Sequence, residues 1–303
     1  MTVDFLTSYT NRSMETLIEA LKKKGLTVNV IGSFDDINAS HFLIIWDPLL
    51  VPSSSRYVRQ HYKVPSALSF KNFNWYFMED WHILNKIQTR NPGIAYPYLI
   101  VPRKKWGLLI PNLKSLINKG KISECLVIPS FRGQNSNSNE LERQIIDGET
   151  PNDGLKVSSD DGMLIIYPWT NAKRQLFLKK GIISQIYFND KYYASFKKKV
   201  TKITDLVDQK TGHKFRPPFF LERMGWDALK QISSLTHKNE NPMIQIDFYP
   251  TDQILDWSIG RVKVFAHDDF LSTYPKLANQ WSIDVARKFP EYQEKRKKIL
   301  GLF

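Results

Sequence analysis

The strongest restriction on the fold comes from the first 46 residues, which alternate three short apolar runs with one amphipathic segment. Residues 3–6, 26–31 and 41–46 predict strands. Between the first two runs, apolar residues recur at helical spacing, and we expect Ser13 to cap this helix and Gly25 to end it. Strands joined through a helical crossover run parallel, and such sheets bind ligands at the carboxyl ends of their strands. The sequence therefore predicts an α/β protein.

The rest of the chain shows both patterns, with two hairpins in its C-terminal half. Further strands are predicted at 94–101, 122–128, 163–167, 182–188, 192–196, 243–248, 254–257 and 262–265. Helices are predicted at 73–89, 110–119, 220–235, 271–287 and 291–299. Asn189-Asp190 and Pro250-Thr251-Asp252 have the composition of hairpin turns, and we expect Pro168 to interrupt a strand. A chain of 303 residues with this many elements predicts two or three subdomains.

Basic residues outnumber acidic ones by 43 to 30, which gives a formal charge of +13. Such an excess favours polyanionic partners, which include nucleotides, nucleic acids and acidic surfaces. A lysine-rich surface also keeps a protein in solution without any anionic partner. The charge therefore suits a phosphate-bearing ligand and leaves nucleic-acid binding open.

The cysteine and histidine content excludes two common kinds of site. The single cysteine, Cys125, has no partner for an internal disulfide and lies in the apolar run 125–128, which predicts a buried, unreactive thiol. The six histidines are scattered, so no Cys/His cluster has the spacing of a metal site. No run approaches the ~18 apolar residues of a membrane span, and the N-terminus lacks a signal pattern. We therefore expect a cytoplasmic protein with no membrane partner.

A polar loop follows the predicted strand 122–128 and contains Ser130, Arg132 and Gly133 among further serines and asparagines. Backbone amides, hydroxyls and a guanidinium are groups that hold phosphates in such loops. No Gly-Lys-Ser/Thr and no Gly-x-Gly-x-x-Gly occurs in the chain, so the common nucleotide motifs are absent. The segment is either a phosphate loop or a solvated connection.

Two carboxylates, Asp247 and Asp256, lie nine residues apart on the arms of the second predicted hairpin. Pairing of the arms would bring them together, and Mg²⁺ prefers such carboxylates in combination with substrate phosphates. The alternation of the strand gives a second interpretation, in which Ile244, Ile246 and Phe248 point inward and Asp247 faces solvent. The hairpin is therefore either a Mg²⁺ site or an exposed element.

Lysines and an aromatic residue complete the set of candidates for binding a nucleotide. The run Lys197 to Lys199 directly follows a predicted strand, and it is either a phosphate clamp or a solvated strand edge. Tyr167 can stack on a base, although aromatic side chains at strand ends more often belong to the core.

The order of the predicted segments resembles that of the ATP-grasp superfamily of ATP-dependent ligases, over about residues 1–265. The segments that carry the resemblance are Lys86 with Gly93-Ile94-Ala95-Tyr96-Pro97, the phosphate-loop region 126–134, the adenine-bordering strand 164–169, the hairpin 183–199, and the metal-binding hairpin of Asp247 and Asp256-Trp257-Ser258. The family's phosphate-loop lysine is Ile128 here, and its Glu-x-Asn pair is Asp256 and Ser258.

The resemblance implies a Rossmann-like N-terminal domain followed by ATP-grasp-like α+β subdomains. The implied divisions are residues 1–70 for the Rossmann-like domain, 71–168 for a central linker and phosphate-loop subdomain, and 169–303 for a C-terminal subdomain with the metal hairpin and a basic helical tail. The implied activity is ATP-dependent ligation of a carboxylate to an amine through an acyl phosphate, on a small molecule or a peptide.

The resemblance also implies cofactors and roles, namely ATP and Mg²⁺, with Asp247, Asp256 and Ser258 on the metal. The implied nucleotide-binding residues are Lys86, Ser130, Arg132, Gly133, Tyr167, Lys197 and Lys199. Arg216 and Arg261 would hold the substrate carboxylate, which a guanidinium binds in bidentate fashion. Two alternatives stay open: a nucleic-acid-binding protein that uses its basic surface, and an ATP-grasp-like scaffold without catalysis.

Overall fold

The structure is a computed structural model. It describes residues 1–38, 40–46, 84, 87–91, 96, 98–129, 144–149, 163–188, 191–206, 212–233, 243–252, 256–264, 270–287 and 289. The strands are β1 (Thr2–Leu6), β2 (Thr27–Ile31), β3 (Phe42–Ile45), β4 (Leu99–Pro102), β5 (Glu124–Pro129), β6 (Gln144–Ile146), β7 (Met163–Trp169), β8 (Ile182–Phe188), β9 (Lys191–Lys198), β10 (His213–Lys214), β11 (Met243–Pro250) and β12 (Trp257–Val264). The helices are α1 (Arg12–Lys23), α2 (Trp106–Asn118), α3 (Asn171–Lys180), α4 (Phe219–Ser233), α5 (Phe270–Thr273) and α6 (Pro275–Ala286).

The predicted parallel β-α-β start is confirmed, because β1 pairs in parallel with both β2 and β3 in the order β2-β1-β3. The prediction of the helix cap was wrong. Asn11 caps α1 by accepting a hydrogen bond from the backbone N–H of Met14 at 2.8 Å. Ser13 is buried in the first turn, where its Oγ accepts from the N–H of Ser272 at 3.3 Å. Gly25 follows the helix with φ of +78°, a conformation that glycine adopts without strain.

The second sheet contains four antiparallel strands in the order β4-β7-β5-β6, and α2 packs on one of its faces. Pro168 does not interrupt β7, which continues to Trp169. The pairing explains this result, because β4 reaches only to Ile166 and leaves the β4 side of Pro168 unpaired. Because proline has no N–H, Pro168 loses no hydrogen bond between strands on this unpaired side.

The third sheet contains five antiparallel strands in the order β10-β9-β8-β11-β12, and both of its faces are covered. One face carries α4, which crosses β8 so closely that a Cβ at Gly225 would overlap Tyr187 and Gln185. The opposite side, called the inward face below, packs against the four-stranded sheet and against the N-terminal core.

The second hairpin differs from its prediction in the extent of its second strand. Its second arm begins at Trp257 and runs without a break to Val264, so Trp257 and residues 262–264, which were predicted in two strands, belong to one. Because Asp247 pairs with Arg261 and Phe248 pairs with Ile259, one residue of β12 forms a bulge. The first hairpin, β8 with β9, is confirmed as an antiparallel pair.

Segments from both ends of the chain share one hydrophobic core. The Trp281 ring on α6 lies 6.5 Å from that of Trp46 and 4.8 Å from that of Phe188 on β8. This core therefore joins the three-stranded sheet, the C-terminal helices and the five-stranded sheet. Within the described ranges, no helix is long and apolar enough to cross a bilayer.

Candidate functional site

A row of polar side chains crosses the inward face of the five-stranded sheet. Ser184 on β8 pairs with Asp247 on β11, and Asp247 pairs with Arg261 on β12. Directly paired residues of neighbouring strands project to the same side of a sheet. We call Ser184, Asp247 and Arg261 the polar row.

Asp247 stands at the centre of this row with none of its surface exposed. Its Oδ1 accepts hydrogen bonds from Ser184 Oγ at 2.6 Å and from Gln245 Nε2 at 2.7 Å. The half-buried guanidinium of Arg261 is the charged group paired across from it. The interpretation that Asp247 faces solvent is therefore wrong, because the sheet is covered on both faces and its polar alternation points into the interior.

Two buried oxygen atoms near Asp247 have no hydrogen-bond partner among the described residues. They are Ser258 Oγ and Gln245 Oε1, each in a residue with 1% of its surface exposed. Buried polar atoms are nearly always hydrogen-bonded in folded proteins, so such atoms call for an explanation. Hydroxyl and amide oxygens beside a carboxylate form a donor set that suits a hard cation or a hydrated phosphate.

An aromatic wall borders the row on the side of the four-stranded sheet. The Tyr249 ring covers Gly260, where a Cβ would overlap the ring. Its hydroxyl donates to the carbonyl of Leu206 at 2.9 Å, and the hydroxyl of Tyr167 donates to the carbonyl of Gly260 at 2.8 Å. Burial raises the pKa of Tyr249 well above its ordinary value, with smaller contributions from Tyr167 and Asp247. The Tyr249 hydroxyl is therefore a permanent donor.

The row lies at the seam between two hydrophobic cores. On one side, the Tyr249 ring packs 5.3 Å from that of Tyr96 and 5.5 Å from that of Phe177. On the other side, Phe196 pairs with Ser184 and packs 4.8 Å from Tyr274, in the core of the N-terminal sheet. Seams between substructures are the usual places for ligand sites, because apolar walls there surround a few polar groups.

The structure does not bring Asp256 to Asp247. Because β12 begins at Trp257, Asp256 lies in the turn, with φ of +60° and 64% of its side chain exposed. Lys180 on α3 binds it at 2.7 Å. Pro250 pairs with Trp257, so the turn lies about 10 Å along the strand from Asp247.

The predicted lysine clamp points away from the polar row. Lys197 alternates with Phe196, and its Nζ lies 5.7 Å from the centre of the Phe215 ring. Lys199 follows β9 and is exposed. Lys198, which is not among the implied nucleotide-binding residues, lies on the same side as Phe196 and is 8% exposed. The period of two along β9 was the signal that distinguishes Lys198 from its neighbours.

The remaining candidates lie in several places. Arg216 is exposed in the segment before α4, and the Tyr167 ring belongs to the buried aromatic wall. Lys86, Ser130, Arg132 and Gly133 lie outside the described residues. Sequence reasoning also missed Ser184 and Gln245, although each is a polar residue within an otherwise apolar strand. The structure therefore brings Asp247, Arg261 and Ser258 together with Ser184 and Gln245.

Comparison with solved structures identifies the fold. No family model matches the sequence, and no curated protein matches it. D-cycloserine synthetase DcsG superposes with a TM-score of 0.61 at 12% identity, over 95% of this chain and 100% of that one. A RimK domain ATP-grasp protein from Sphaerobacter thermophilus superposes with a TM-score of 0.57 at 6% identity, over 94% of this chain and 99% of that one. The ATP-grasp ligase PsnB, complexed with a minimal precursor, superposes with a TM-score of 0.53 at 8% identity, over 95% of this chain and 99% of that one. The chain therefore shares its fold with these ATP-grasp proteins, which is the fold that its segment order implied.

Proposed function

We propose that the chain is an ATP-dependent ligase, which joins a carboxylate to an amine through an acyl phosphate on a small molecule or a peptide. The observation that carries this proposal is the buried polar row, with Asp247 at its centre, at the seam beside the four-stranded sheet. The ATP-grasp fold supports it, and PsnB, which is complexed with a precursor, and DcsG, a synthetase, support the two substrate classes.

The donor set around Asp247 fits one Mg²⁺ ion. Mg²⁺ is commonly held by one or two carboxylates together with substrate phosphates and water. Asp247 would be the carboxylate ligand, and the oxygens of Gln245 and Ser258, which lack partners among the described residues, would bind the ion's water shell. When bound, the ion neutralises charge on the phosphoryl group that is transferred.

The chain's own contribution is to bind and orient the reactants. A substrate carboxylate oxygen attacks the γ-phosphorus of ATP and ADP leaves, and then the amine nitrogen attacks the acyl carbon as inorganic phosphate leaves and the amine loses a proton. Neither step needs a nucleophilic side chain. Arg261 would bind anionic oxygens beside Asp247, while the wall of Tyr249, Tyr96 and Phe177 excludes water from the acyl phosphate.

A thermal unfolding experiment with MgATP tests the proposal. ATP at 100 times its dissociation constant adds about 2.7 kcal/mol to the free energy of unfolding. We expect this gain in the wild type and its loss in Asp247→Asn. Asp284→Asn is the matched control, since Asp284 is also buried and is bound by Tyr193 and Arg287, which are not members of the polar row. The proposal fails if MgATP leaves the wild-type transition unchanged, or if both variants lose the response equally.

One observation favours a second candidate, an ATP-grasp-like scaffold without catalysis. Asp247 is the one carboxylate on the inward face among the described residues, and Asp256 is paired with Lys180 instead. A scaffold of this kind would show no stabilisation by MgATP. Stabilisation by nucleic acid that falls steeply with salt would instead indicate the basic surface as the functional one.

A further inference from the structure

We propose that the nucleotide site takes a single divalent cation, and that the Arg261 guanidinium supplies the second positive charge on the phosphates. This inference rests on the proposed function and deepens it, because it assigns the charge balance of the same site. Three observations carry it: the number of carboxylates on the inward face, the packing over Gly260, and the position of Arg261.

The inward face offers one anionic ligand among its described residues. On β12, the inward positions nearest Asp247 are Ser258, Gly260 and Arg261. Ser258 provides a neutral hydroxyl and Gly260 provides no side chain. In the described part of the chain, no group of three or more His, Cys, Asp or Glu is placed to hold a metal. Among the described residues, a second divalent cation would therefore find no further carboxylate on this face.

The packing over Gly260 leaves no room for a ligand side chain at this position. The Tyr249 ring lies where a side chain at position 260 would project. This ring is fixed at its hydroxyl by the carbonyl of Leu206, and on its faces and edges by Tyr96 and Phe177. No metal ligand fits at position 260 unless this wall is rebuilt.

Arg261 brings a fixed positive charge to the same place. It pairs with Asp247 across β11 and β12 and is half-buried, so solvent screens its charge only in part. A guanidinium has five N–H donors in a planar fork, which allows it to meet Asp247 and a phosphate oxygen at once. Phosphoryl transfer depends on positive charge around the transferring group, and a cation on Asp247 with Arg261 opposite provides it from two sides.

Calorimetric binding of a non-hydrolysable ATP analogue at varied free Mg²⁺ tests this inference. Once Mg²⁺ has saturated the analogue, we expect a further tenfold rise in free Mg²⁺ to change the wild-type affinity by less than about twofold, since one extra bound ion would give about a tenfold change. Arg261→Met should lower the affinity by about tenfold or more, because it removes a charge-assisted hydrogen bond. Arg223→Met is the control, since Arg223 is exposed on α4 and should bind like the wild type.

The outcomes separate the two proposals. Affinity that keeps rising with free Mg²⁺ beyond saturation, or an Arg261→Met variant that binds like the wild type, would overturn the single-cation inference and leave nucleotide binding in place. A wild type that binds no analogue at any Mg²⁺ concentration would overturn the proposed function itself. The titration of the wild type keeps the inference testable even if Arg261→Met does not fold.

Discussion

Asp247 and Arg261 pair directly across β11 and β12, the carboxylate with no exposed surface and the guanidinium half-buried. A buried carboxylate is tolerated only where hydrogen bonds and an opposite charge offset its loss of hydration. Ser184 and Gln245 provide the hydrogen bonds, and Arg261 is the cation at the paired position of β12. We therefore expect the members of the polar row to be energetically coupled.

This coupling gives a prediction for stability. Arg261→Met should lower the free energy of unfolding by about 2 kcal/mol, because it leaves the Asp247 charge in the interior without its cross-strand cation. The double variant Arg261→Met with Asp247→Asn should lose less free energy of unfolding than the two single variants lose together, with a coupling energy of about 1 kcal/mol. Denaturant unfolding of the wild type, both single variants and the double variant measures it. Strict additivity would contradict the pairing.

The packing of Tyr249 over Gly260 gives a second prediction. Gly260→Ala should destabilise the fold by about 2 kcal/mol, because the new methyl group displaces a ring that is held on several sides. Gly107→Ala is the matched control, since Gly107 lies in α2 with open space around it. This variant should raise the free energy of unfolding by about 0.5 kcal/mol. Thermal unfolding of both variants checks the pair, and equal effects would contradict the packing.

A third prediction concerns pH and the segment that meets Tyr249. Burial alone would raise the pKa of Asp205, but hydrogen bonds from the N–H groups of Thr201 and Lys202 and the hydroxyl of Thr201 outweigh it and lower the pKa. A lowered pKa in the folded state stabilises the protein above the ordinary aspartate value, and this stabilisation is lost as pH falls through the folded value.

The Asp205→Ala variant should therefore be less stable than the wild type by about 1–2 kcal/mol at pH 7. The difference should shrink as the pH is lowered below about 4, the ordinary pKa of aspartate. Urea unfolding of both proteins across this range measures the difference. A gap that stays constant from pH 7 to pH 2.5 would show that the Asp205 carboxylate does not stabilise this segment through its charge.

Cys125 gives a fourth prediction. Burial, with a smaller contribution from Glu124 and against the opposing charge of Lys173, raises the pKa of its thiol to about 12. Because the thiolate is the reactive form and the side chain has no exposed surface, the native protein should not react with a thiol reagent at pH 8. In denaturant it should react at one site per chain. Rapid native labelling would contradict the packing of β5 against α2.

The sequence predicted the elements better than their contacts. Local periodicity predicted the parallel start and the β8–β9 hairpin, and the structure confirms both. The position of Asp256 depends on where β12 begins, and local patterns fix such boundaries poorly. The burial of Asp247 depends on the second layer over the sheet, which no local pattern contains. Lys198 was recoverable from the alternation of β9, since residues two apart on a strand share a side.

Hydrogen exchange with and without MgATP tests whether the nucleotide binds at the polar row, because it locates the bound nucleotide on the sheet. We expect MgATP to slow exchange in peptides covering β8, β11 and β12, and to leave α4 on the opposite face of the same sheet unchanged. Asp247→Asn should abolish this protection, while Asp284→Asn should keep it. Protection confined to α4 or to other surfaces, or none with saturating MgATP, would contradict the assignment of the polar row as the nucleotide site.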